Sequence, residues 1–416
     1  MEVSIYRVRH RDLLTLCVLA LLCLGAVMVQ SASTTLSGEV KWAWSQRGTR
    51  HLVYAGVAAL AFLLVGHIDY AALARRTTSV WRSPALWGLA LAIVLCAAVL
   101  VPGVGKDVNG ARRWINLGPV QVQPSEIAKW ATVLYLAWWL ARRPLDLDRF
   151  FFGFLPTLVP IGAVCLLVVI EDFGTAALIA FCTVTMLLAG RVKLWHLAVV
   201  APPALGAAFW FVRSTPYRWT RMTSFLDPWA NPQGEGFHMV QSLLSFSTGG
   251  ILGRGLGNGV QKLGYLPEDT TDFIFAVICE ELGIFGAMLT VALYLGILYV
   301  AWQAIRQKRD DFGRLLAFGV GSMLGLQAAI NMAVATVSVP TKGLSLPLVS
   351  AGGSGLVITC AALGLLYSVM RFEHDGPVRA DAAEETPAAD VPAARRKRLP
   401  ARAPSATRPG AVPVTA

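Results

Sequence analysis

Ten runs of mostly apolar residues follow one another along this chain, each close to the length that crosses a lipid bilayer. A helix needs about 20 such residues to span the hydrocarbon core. The runs cover residues 13–33, 51–68, 84–101, 125–141, 153–170, 174–190, 194–212, 272–302, 314–339 and 350–371. The pattern predicts an all-α polytopic membrane protein with about ten transmembrane helices.

The composition agrees with a chain that is mostly solvated by lipid. Hydrophobic residues make up 55% of it and charged residues 15%, whereas soluble domains carry about 25% charged residues. A soluble enzyme, a disulfide scaffold and a disordered protein are therefore excluded as the main interpretation. All 7 cysteines lie inside apolar runs and form no CxxC pair, which favours packing over a redox or zinc role.

The distribution of Lys and Arg predicts the orientation of the helices, and the net charge of +11 indicates orientation rather than nucleic-acid binding. With a cytoplasmic N-terminus, the inner segments hold more than twice as many Lys and Arg residues as the short outer loops. Ten spans return the C-terminus to the cytoplasm, where the basic run 395–398 lies. Arg7, Arg9 and Arg11 precede the first run without a following A-x-A-like cleavage site, which predicts a retained signal anchor.

Two segments differ from the helices. Residues 213–271 form a long outer loop between predicted helices 7 and 8, far longer than usual helix connections, and their aromatic side chains favour folding back onto the outer face. Residues 373–416 are rich in Ala, Pro and Arg, which is typical of a disordered cytoplasmic tail. The remainder, residues 1–372, is predicted to be one membrane domain.

Charged residues gather on the predicted outer half of the bundle, although ionisable groups at membrane depth are costly and usually functional. Each alone is explained by a side chain that reaches from a helix end to the interface. Together they predict a polar cavity that opens outward. The set comprises Arg112, Arg113, Glu126, Lys129, Glu171, Asp172, Arg218, Arg221, Asp272 and Lys342.

Asp272 is the candidate general base of this cavity. It lies just inside an apolar helix, where loss of water raises the pKa of a carboxylate toward neutrality, although capping of the helix N-terminus is an alternative role. The guanidinium and ammonium groups of the set suit an anionic ligand such as a diphosphate. For Arg218 and Arg221, an interface belt beside Tyr217 and Trp219 is an equal alternative.

The remaining candidates have two interpretations each. Glu126 and Lys129 share a helical face, so Lys129 either pairs with Glu126 or binds an anionic ligand, and Glu126 also suits the start of its helix. Glu280 either lines the cavity of Asp272 or packs against a Lys or Ser elsewhere. Ser350 opens a segment of small residues that permits close helix contact or directs backbone amides at an anion.

Several motifs, taken in order along residues 10–372, resemble the SEDS family (shape, elongation, division and sporulation) of bacterial peptidoglycan glycosyltransferases. No single motif is specific, but the series is. The motifs are 109–115 (NGARRWI), 123–129 (QPSEIAK), 172–176 (DFGTA), 266–268 (LPE), 271–276 (TDFIFA), 280–283 (EELG) and 340–347 (PTKGLSLP), followed by Ser350 and 352–354 (GGS). Residues 221–229 and 261–268 are more similar to the division branch, FtsW, than to the elongation branch, RodA.

The resemblance implies polymerisation of lipid II into β-1,4-linked glycan strands on the outer face of the bacterial inner membrane, at the division septum. It also implies a crosslinking partner, a class B penicillin-binding protein (FtsI-like), and other division proteins. Asp272 matches the essential aspartate of the family, and Arg113, Glu126 and Lys129 match positions that the family needs. A divalent cation (Mg or Mn) is a further candidate for offsetting the charge of the leaving diphosphate, although no compact carboxylate cluster in the sequence indicates a metal site.

The chain departs from the family pattern at four positions, Glu171, Gly264, Thr270 and Ala351. None of them removes Asp272 or a cation, so we expect altered loop packing rather than lost catalysis. The alternatives are a lipid II flippase, an elongation-type polymerase and a scaffold without catalytic activity. A flippase needs polar groups along the whole path, whereas the unexplained charges here lie on the outer half.

Overall fold

The computed structural model describes residues 9–33, 47–74, 81, 83–108, 111–118, 120–142, 147–341 and 343–372. Each of the ten apolar runs forms a helix within these ranges, and the boundaries lie within a few residues of the predicted ones. These helices are α1 (His10–Ala32), α2 (Arg47–His67), α4 (Pro84–Leu100), α5 (Pro124–Ala141), α6 (Leu155–Glu171), α7 (Phe173–Ala189), α8 (Leu194–Arg213), α11 (Ile274–Gln307), α12 (Asp311–Ala335) and α13 (Ser354–Arg371).

Shorter elements connect these helices. They are α3 (Ala71–Ala74), α9 (Pro216–Thr223), α10 (Phe237–Gly249), a π-helical turn (Phe150–Phe154) and a 3-10 turn (Pro228–Ala230). In the described part of the chain, 7 helices are long and apolar enough to cross a membrane, and α4 and α7 are shorter apolar helices. With α5, they account for the predicted ten, and the polytopic helical fold is confirmed.

The outer segment between α4 and α5 is an addition to this fold that the sequence does not predict. That segment forms an antiparallel sheet with the order β1 (Gly105–Val108), β2 (Ala111–Leu117) and β3 (Val120–Val122). Strands of this length are invisible to a search for apolar runs of membrane length. The sheet packs on α4, α5 and α6, and β2 carries both Arg112 and Arg113 toward the outer ends of those helices.

Helix α12 lies at the centre of the bundle. It packs against α5, α7, α11 and α13, and its buried surface includes two amide side chains, Gln327 and Asn331. On another side of the bundle α13 packs along α2, where Gly364 brings the two backbones together: a Cβ at Gly364 would lie 2.7 Å from the Phe62 carbonyl oxygen. The centre of the bundle therefore presents polar groups in its outer half.

The long outer loop, residues 213–271, contains α9 and α10 and packs on the membrane helices. Helix α10 lies against α11, and the Ser242 hydroxyl donates to the Ala335 carbonyl oxygen at 2.6 Å. The glycine-rich segment that follows α10 then crosses α11. This contact lies between Cys279 and Ile284, about ten residues beyond Asp272 along α11.

Helix α11 is interrupted at Gly283, which has φ 64° and ψ −156°. The glycine-rich segment supplies the missing partners: the Gly255 amide donates to the Glu281 carbonyl at 3.0 Å, and the Ile284 amide donates to the Ile251 carbonyl at 3.1 Å. Irregular backbone within a membrane protein is tolerated where the protein itself satisfies its polar groups. The loop and the broken helix therefore form one unit.

We expect Gly283→Ala to destabilise this unit strongly. A Cβ at Gly283 would lie 2.4 Å from the Gly253 nitrogen and 2.4 Å from the Ile251 oxygen. Its backbone conformation is also one that essentially only glycine adopts, so the strain alone costs about 2 kcal/mol. The thermal unfolding temperature of the detergent-purified protein should fall by several degrees.

Gly88→Ala is the matched control, because Gly88 lies within α4 and a Cβ there meets no atom within 4 Å. This variant should unfold at the wild-type temperature or slightly above it, since alanine favours a helix. Equal unfolding temperatures for the two variants would contradict the structural role of the break.

Candidate active site

Asp272 lies two residues before α11, and its carboxylate oxygen Oδ2 lies 3.5 Å from the Cβ position of Gly343, which lines an outer cavity. The cap residue of α11 is Phe273, and no side chain caps the helix, so the alternative of an N-capping aspartate is wrong. Loss of water around the carboxylate, helped by the nearby charges of Glu268 and Asp172, raises the pKa of Asp272 to about 7. The charges of Arg221 and Arg113 oppose this shift. The carboxylate is therefore poised to exchange a proton near neutral pH.

Arg113 faces the same point as the Asp272 carboxylate. Arg113 Nη1 and Asp272 Oδ2 each lie 3.5 Å from the Cβ position of Gly343, so a side chain at residue 343 would stand between them. The backbone carbonyl of Glu171 accepts from Arg113 Nε at 2.8 Å, which fixes the guanidinium. The missing side chain at Gly343 keeps the approach to both groups open.

Arg112 is bound differently from its neighbour. Its backbone amide donates to the Glu171 carboxylate at 2.7 Å, which ties β2 to the end of α6. Glu171 thus holds Arg112 by its side chain and Arg113 by its carbonyl. The departure from the family pattern at Glu171 therefore has a structural function, the attachment of the arginine strand.

Arg218 and Arg221 line the same cavity, which has a volume of about 290 Å³. Each guanidinium stacks on an aromatic ring: Arg218 over Phe211 at 4.0 Å and Arg221 over Tyr217 at 5.6 Å. The structure thus brings the arginine pair of α9 together with Arg113. Stacked guanidinium groups still offer their edges to an anionic ligand.

Asp172 contributes a second carboxylate to the cavity wall. It caps α7, because its side chain accepts from the Thr175 amide at 3.0 Å and from the Thr175 hydroxyl at 2.8 Å. These bonds hold its carboxylate in place. Asp172 therefore acts on Asp272 through its charge, while its hydrogen bonds are made to Thr175 of α7.

Lys129 is fully buried and is bound within the protein. Its ammonium lies 2.9 Å from Glu126 Oε1 and donates to Gln327 Oε1 at 2.7 Å. Gln327 Nε2 in turn donates to the Ser345 carbonyl at 2.9 Å. Lys129 therefore positions the 343–350 segment, and direct binding of a ligand by Glu126 or Lys129 stays a prediction.

Asn331 and Ser350 hold the backbone on both sides of Asp272. Asn331 Nδ2 donates to the Asp272 carbonyl at 2.8 Å and to the Leu344 carbonyl at 2.7 Å. The Ser350 hydroxyl donates to the Thr271 carbonyl at 2.5 Å and accepts from the Leu346 amide at 2.7 Å. Ser350 thus supports Asp272 through the backbone, and a contact with substrate stays a prediction.

Gln327 and Asn331 are the site residues that the sequence interpretation missed. The search considered ionisable residues in apolar runs and left out amides. Both residues interrupt the apolar run of α12, and a buried polar group requires partners. A search for Asn and Gln within membrane helices would have found them.

Glu280 contacts the glycine-rich segment: Glu280 Oε1 accepts from the Val260 amide at 2.8 Å. Next to it, Glu281 pairs with Lys262 at 2.7 Å and accepts from the Ser31 hydroxyl at 2.8 Å. These contacts fit the packing alternative for Glu280, and its role toward a substrate stays a prediction. Lys342 and the tail, residues 373–416, lie outside the described residues.

Among the residues that the structure describes, no three His, Cys, Asp or Glu side chains are grouped in a way that could hold a metal ion. The carboxylates of Asp172, Glu268 and Asp272 act on one another through charge. The divalent cation suggested above therefore stays a prediction.

We expect Lys129→Met to lower stability by about 3 kcal/mol, since removing one partner of a buried ion pair leaves the other charge uncompensated. The double variant Glu126→Gln/Lys129→Met should recover most of that loss. Unfolding in detergent of the wild type, both single variants and the double variant measures the coupling between the two positions. Additive losses would contradict a buried ion pair.

The chain is similar to known proteins over most of its length. "Probable peptidoglycan glycosyltransferase FtsW" of Thioalkalivibrio sulfidiphilus (strain HL-EbGR7) is 42% identical over 371 residues, 88% of this chain and 91% of the relative. The protein of the same name from Coxiella burnetii (strain RSA 493 / Nine Mile phase I) is 37% identical over 360 residues, 86% of this chain and 95% of the relative.

Solved structures agree with these relatives. A chain from a peptidoglycan synthase complex that coordinates polymerization and crosslinking has a TM-score of 0.67 and 29% identity, and the match covers 86% of this chain and 96% of that chain. The rod shape determining protein RodA of Thermus thermophilus has a TM-score of 0.61 and 28% identity, over 86% of this chain and 95% of that chain.

A family model confirms the resemblance that the motifs predicted. The model, described as a cell cycle protein, matches residues 11–375. That range contains Asp272, the cavity arginines and the amides of α12. The chain therefore belongs to the FtsW/RodA/SpoVE family of cell cycle proteins.

Proposed function

We propose that this protein polymerises lipid II into β-1,4 glycan strands in septal cell-wall synthesis, with release of undecaprenyl diphosphate. The observation that carries the proposal is the shared position of one carboxylate and one guanidinium at Gly343, in a cavity that holds two more arginines. This pairing suits a reaction in which a hydroxyl loses a proton while a diphosphate leaves.

The proton and the electron pair move as follows. Asp272 accepts the proton of the GlcNAc 4-hydroxyl of the acceptor, and that oxygen attacks C1 of the MurNAc of the donor. The bond from C1 to the diphosphate oxygen breaks on the opposite face. The α-linked donor therefore gives a β-1,4 linkage, and undecaprenyl diphosphate leaves with the electron pair.

The arginines stabilise the charge that develops on the leaving diphosphate. Arg113 is fixed by its bond to the Glu171 carbonyl, and the guanidinium groups of Arg218 and Arg221 are held by aromatic rings. Cations that are already oriented stabilise a transition state without reorganising. The positions of these three arginines therefore suit stabilisation of the leaving diphosphate.

The pKa of Asp272 suits its proposed role as the general base. A general base is most effective when its pKa lies near the working pH, and the pKa of Asp272 is raised to about 7. Support from Asn331 and Ser350 on its backbone keeps the carboxylate beside Arg113. A crosslinking partner of the class B penicillin-binding type and a location at the septum of the inner membrane belong to the same proposal.

Asp272→Asn should lower polymerisation by about 100-fold or more, which is the usual contribution of a general base. The measurement uses the detergent-purified protein with its penicillin-binding partner, whose crosslinking serine is replaced, and labelled lipid II resolved by chain length. The carboxamide preserves the size of the side chain, so unfolding temperature and partner binding should stay unchanged.

Asp148→Asn is the matched control, because Asp148 is exposed and pairs with Lys193 at 3.2 Å, away from the cavity. Its chains should equal those of the wild type. Equal chains from Asp272→Asn and wild type would eliminate Asp272 as the base. Transfer of lipid II across liposomes without polymerisation by the wild type would instead favour the flippase.

The rate at saturating lipid II should rise with pH through about 7, since Asp272 must lose its proton to act as a base. Arg221→Gln removes a charge that lowers the pKa of Asp272, so it should move this rise to higher pH. Glu268→Gln removes a charge that raises the pKa, so it should move the rise to lower pH. An unmoved profile in both variants would assign the titration to another group.

A further inference from the structure

A second cavity lies at the opposite end of the bundle from Asp272, where α5, α7, α11 and α12 have their cytoplasmic ends. Its volume is about 490 Å³. Three arginines and one aspartate provide the charged groups of its wall. They are Arg142, Arg191, Arg314 and Asp311.

Among the described residues that line this cavity, three arginines stand against one aspartate. Asp311 lies 3.6 Å from Arg314, and Arg142 stacks over Trp138 at 4.8 Å. Close to the rim, Lys193 is paired with Asp148 at 3.2 Å. The guanidinium groups of the wall therefore suit a ligand with a phosphate-type negative charge.

Arg191 occupies a position where a helix usually has glycine. It has φ 61°, its amide donates to the Leu188 carbonyl at 3.0 Å, and the Val192 amide donates to the Leu187 carbonyl at 3.0 Å. These bonds form a Schellman motif, whose left-handed residue is usually glycine. Arg191 therefore adopts this backbone conformation at an energetic cost, and it lines the cavity.

An apolar groove of about 320 Å³ adjoins this cavity on the side toward the middle of the membrane. Ile305 and Phe318 line both spaces, and the groove runs between α11 and α12 past Trp302, which is about half exposed, and Ser322. From Arg314 to Gly325, α12 rises about 16 Å. That is close to the depth of one hydrocarbon leaflet, about 15 Å.

We infer that this composite site binds an anionic phospholipid of the cytoplasmic leaflet, with its phosphate among the arginines and an acyl chain in the groove. A soluble anion would use the arginines without the groove, and a neutral lipid would use the groove without the arginines. The two spaces share Ile305 and Phe318 as wall residues, and this adjacency favours a ligand that has both parts. The site is separate from the outer cavity and does not depend on the proposed reaction.

Native mass spectrometry of the full-length protein, released from detergent with equal amounts of dioleoyl phosphatidylglycerol and dioleoyl phosphatidylcholine, tests the inference. Phosphatidylglycerol should remain bound in preference to phosphatidylcholine. Arg191→Gly and Arg314→Gln should each reduce this retention by about tenfold, the loss expected from one charged hydrogen bond. Arg191→Gly should fold normally, because glycine favours the backbone conformation at that position.

Arg371→Gln is the matched control, since Arg371 lies in the last turn of α13 and contacts Phe372, outside the cavity. This variant should retain phosphatidylglycerol as the wild type does. An equal loss in Arg371→Gln would indicate nonspecific attraction to the basic face and would overturn the inference.

Two further measurements test the groove. Ser322→Phe should fill it and reduce retention of the dioleoyl lipid, with the unfolding temperature as a check on folding. Independently of that variant, the wild type should retain dioleoyl phosphatidylglycerol and release the dihexanoyl lipid. Equal retention of both lengths, or displacement of the dioleoyl lipid by millimolar inorganic phosphate, would assign the site to a soluble anion and overturn the inference.

Discussion

The position of Asp272 depends on two amide side chains in the outer half of α12. Asn331 holds the Asp272 carbonyl and the Leu344 carbonyl together, and Gln327 joins Lys129 to Ser345. Three separate parts of the chain therefore meet on one helix. Because unpaired polar groups in a membrane protein cost several kcal/mol, these bonds permit little rearrangement.

This constraint explains how the Asp272 carboxylate and the Arg113 guanidinium can lie near each other without moving together into a direct ion pair. The backbone of Asp272 is fixed by Asn331 and that of Thr271 by Ser350, while Arg113 is fixed by the Glu171 carbonyl. The two groups face Gly343 from separate supports. Preorganisation of this kind is what a site for charge separation requires, and the residues that supply it are mostly outside the cavity.

The sequence predicts the ten helices well, because membrane length and apolar composition leave a long segment few other structures. It also selects Asp272 and Arg113 as candidates, since charges in an apolar chain are conspicuous, and the structure brings the two side chains together at Gly343. The sequence does not predict the sheet of β1, β2 and β3, because these short strands are stabilised by packing on α4 to α6. The pairing of Lys129 with Glu126 is one of the predicted alternatives and is present. The contacts of Lys129 with Gln327 and of Glu281 with Ser31 are not predicted, since these partners lie 198 and 250 residues away in the chain.

The break in α11 connects the outer loop to the site in a way that neither segment reveals alone. Gly283 can leave the helical conformation because the Ile251 carbonyl accepts from the Ile284 amide and the Gly255 amide donates to the Glu281 carbonyl, on the two sides of the break. The first ten residues of α11, Ile274–Gly283, are consequently bounded by Asp272 at one end and by the loop at the other. Two glycines of the segment explain how its backbone comes so close to α11. A Cβ at Gly249 would lie 2.1 Å from the Cys279 carbonyl oxygen, and one at Gly253 would lie 2.2 Å from the Glu281 carbonyl oxygen, so side chains at these positions would hold the loop away from the helix that it completes.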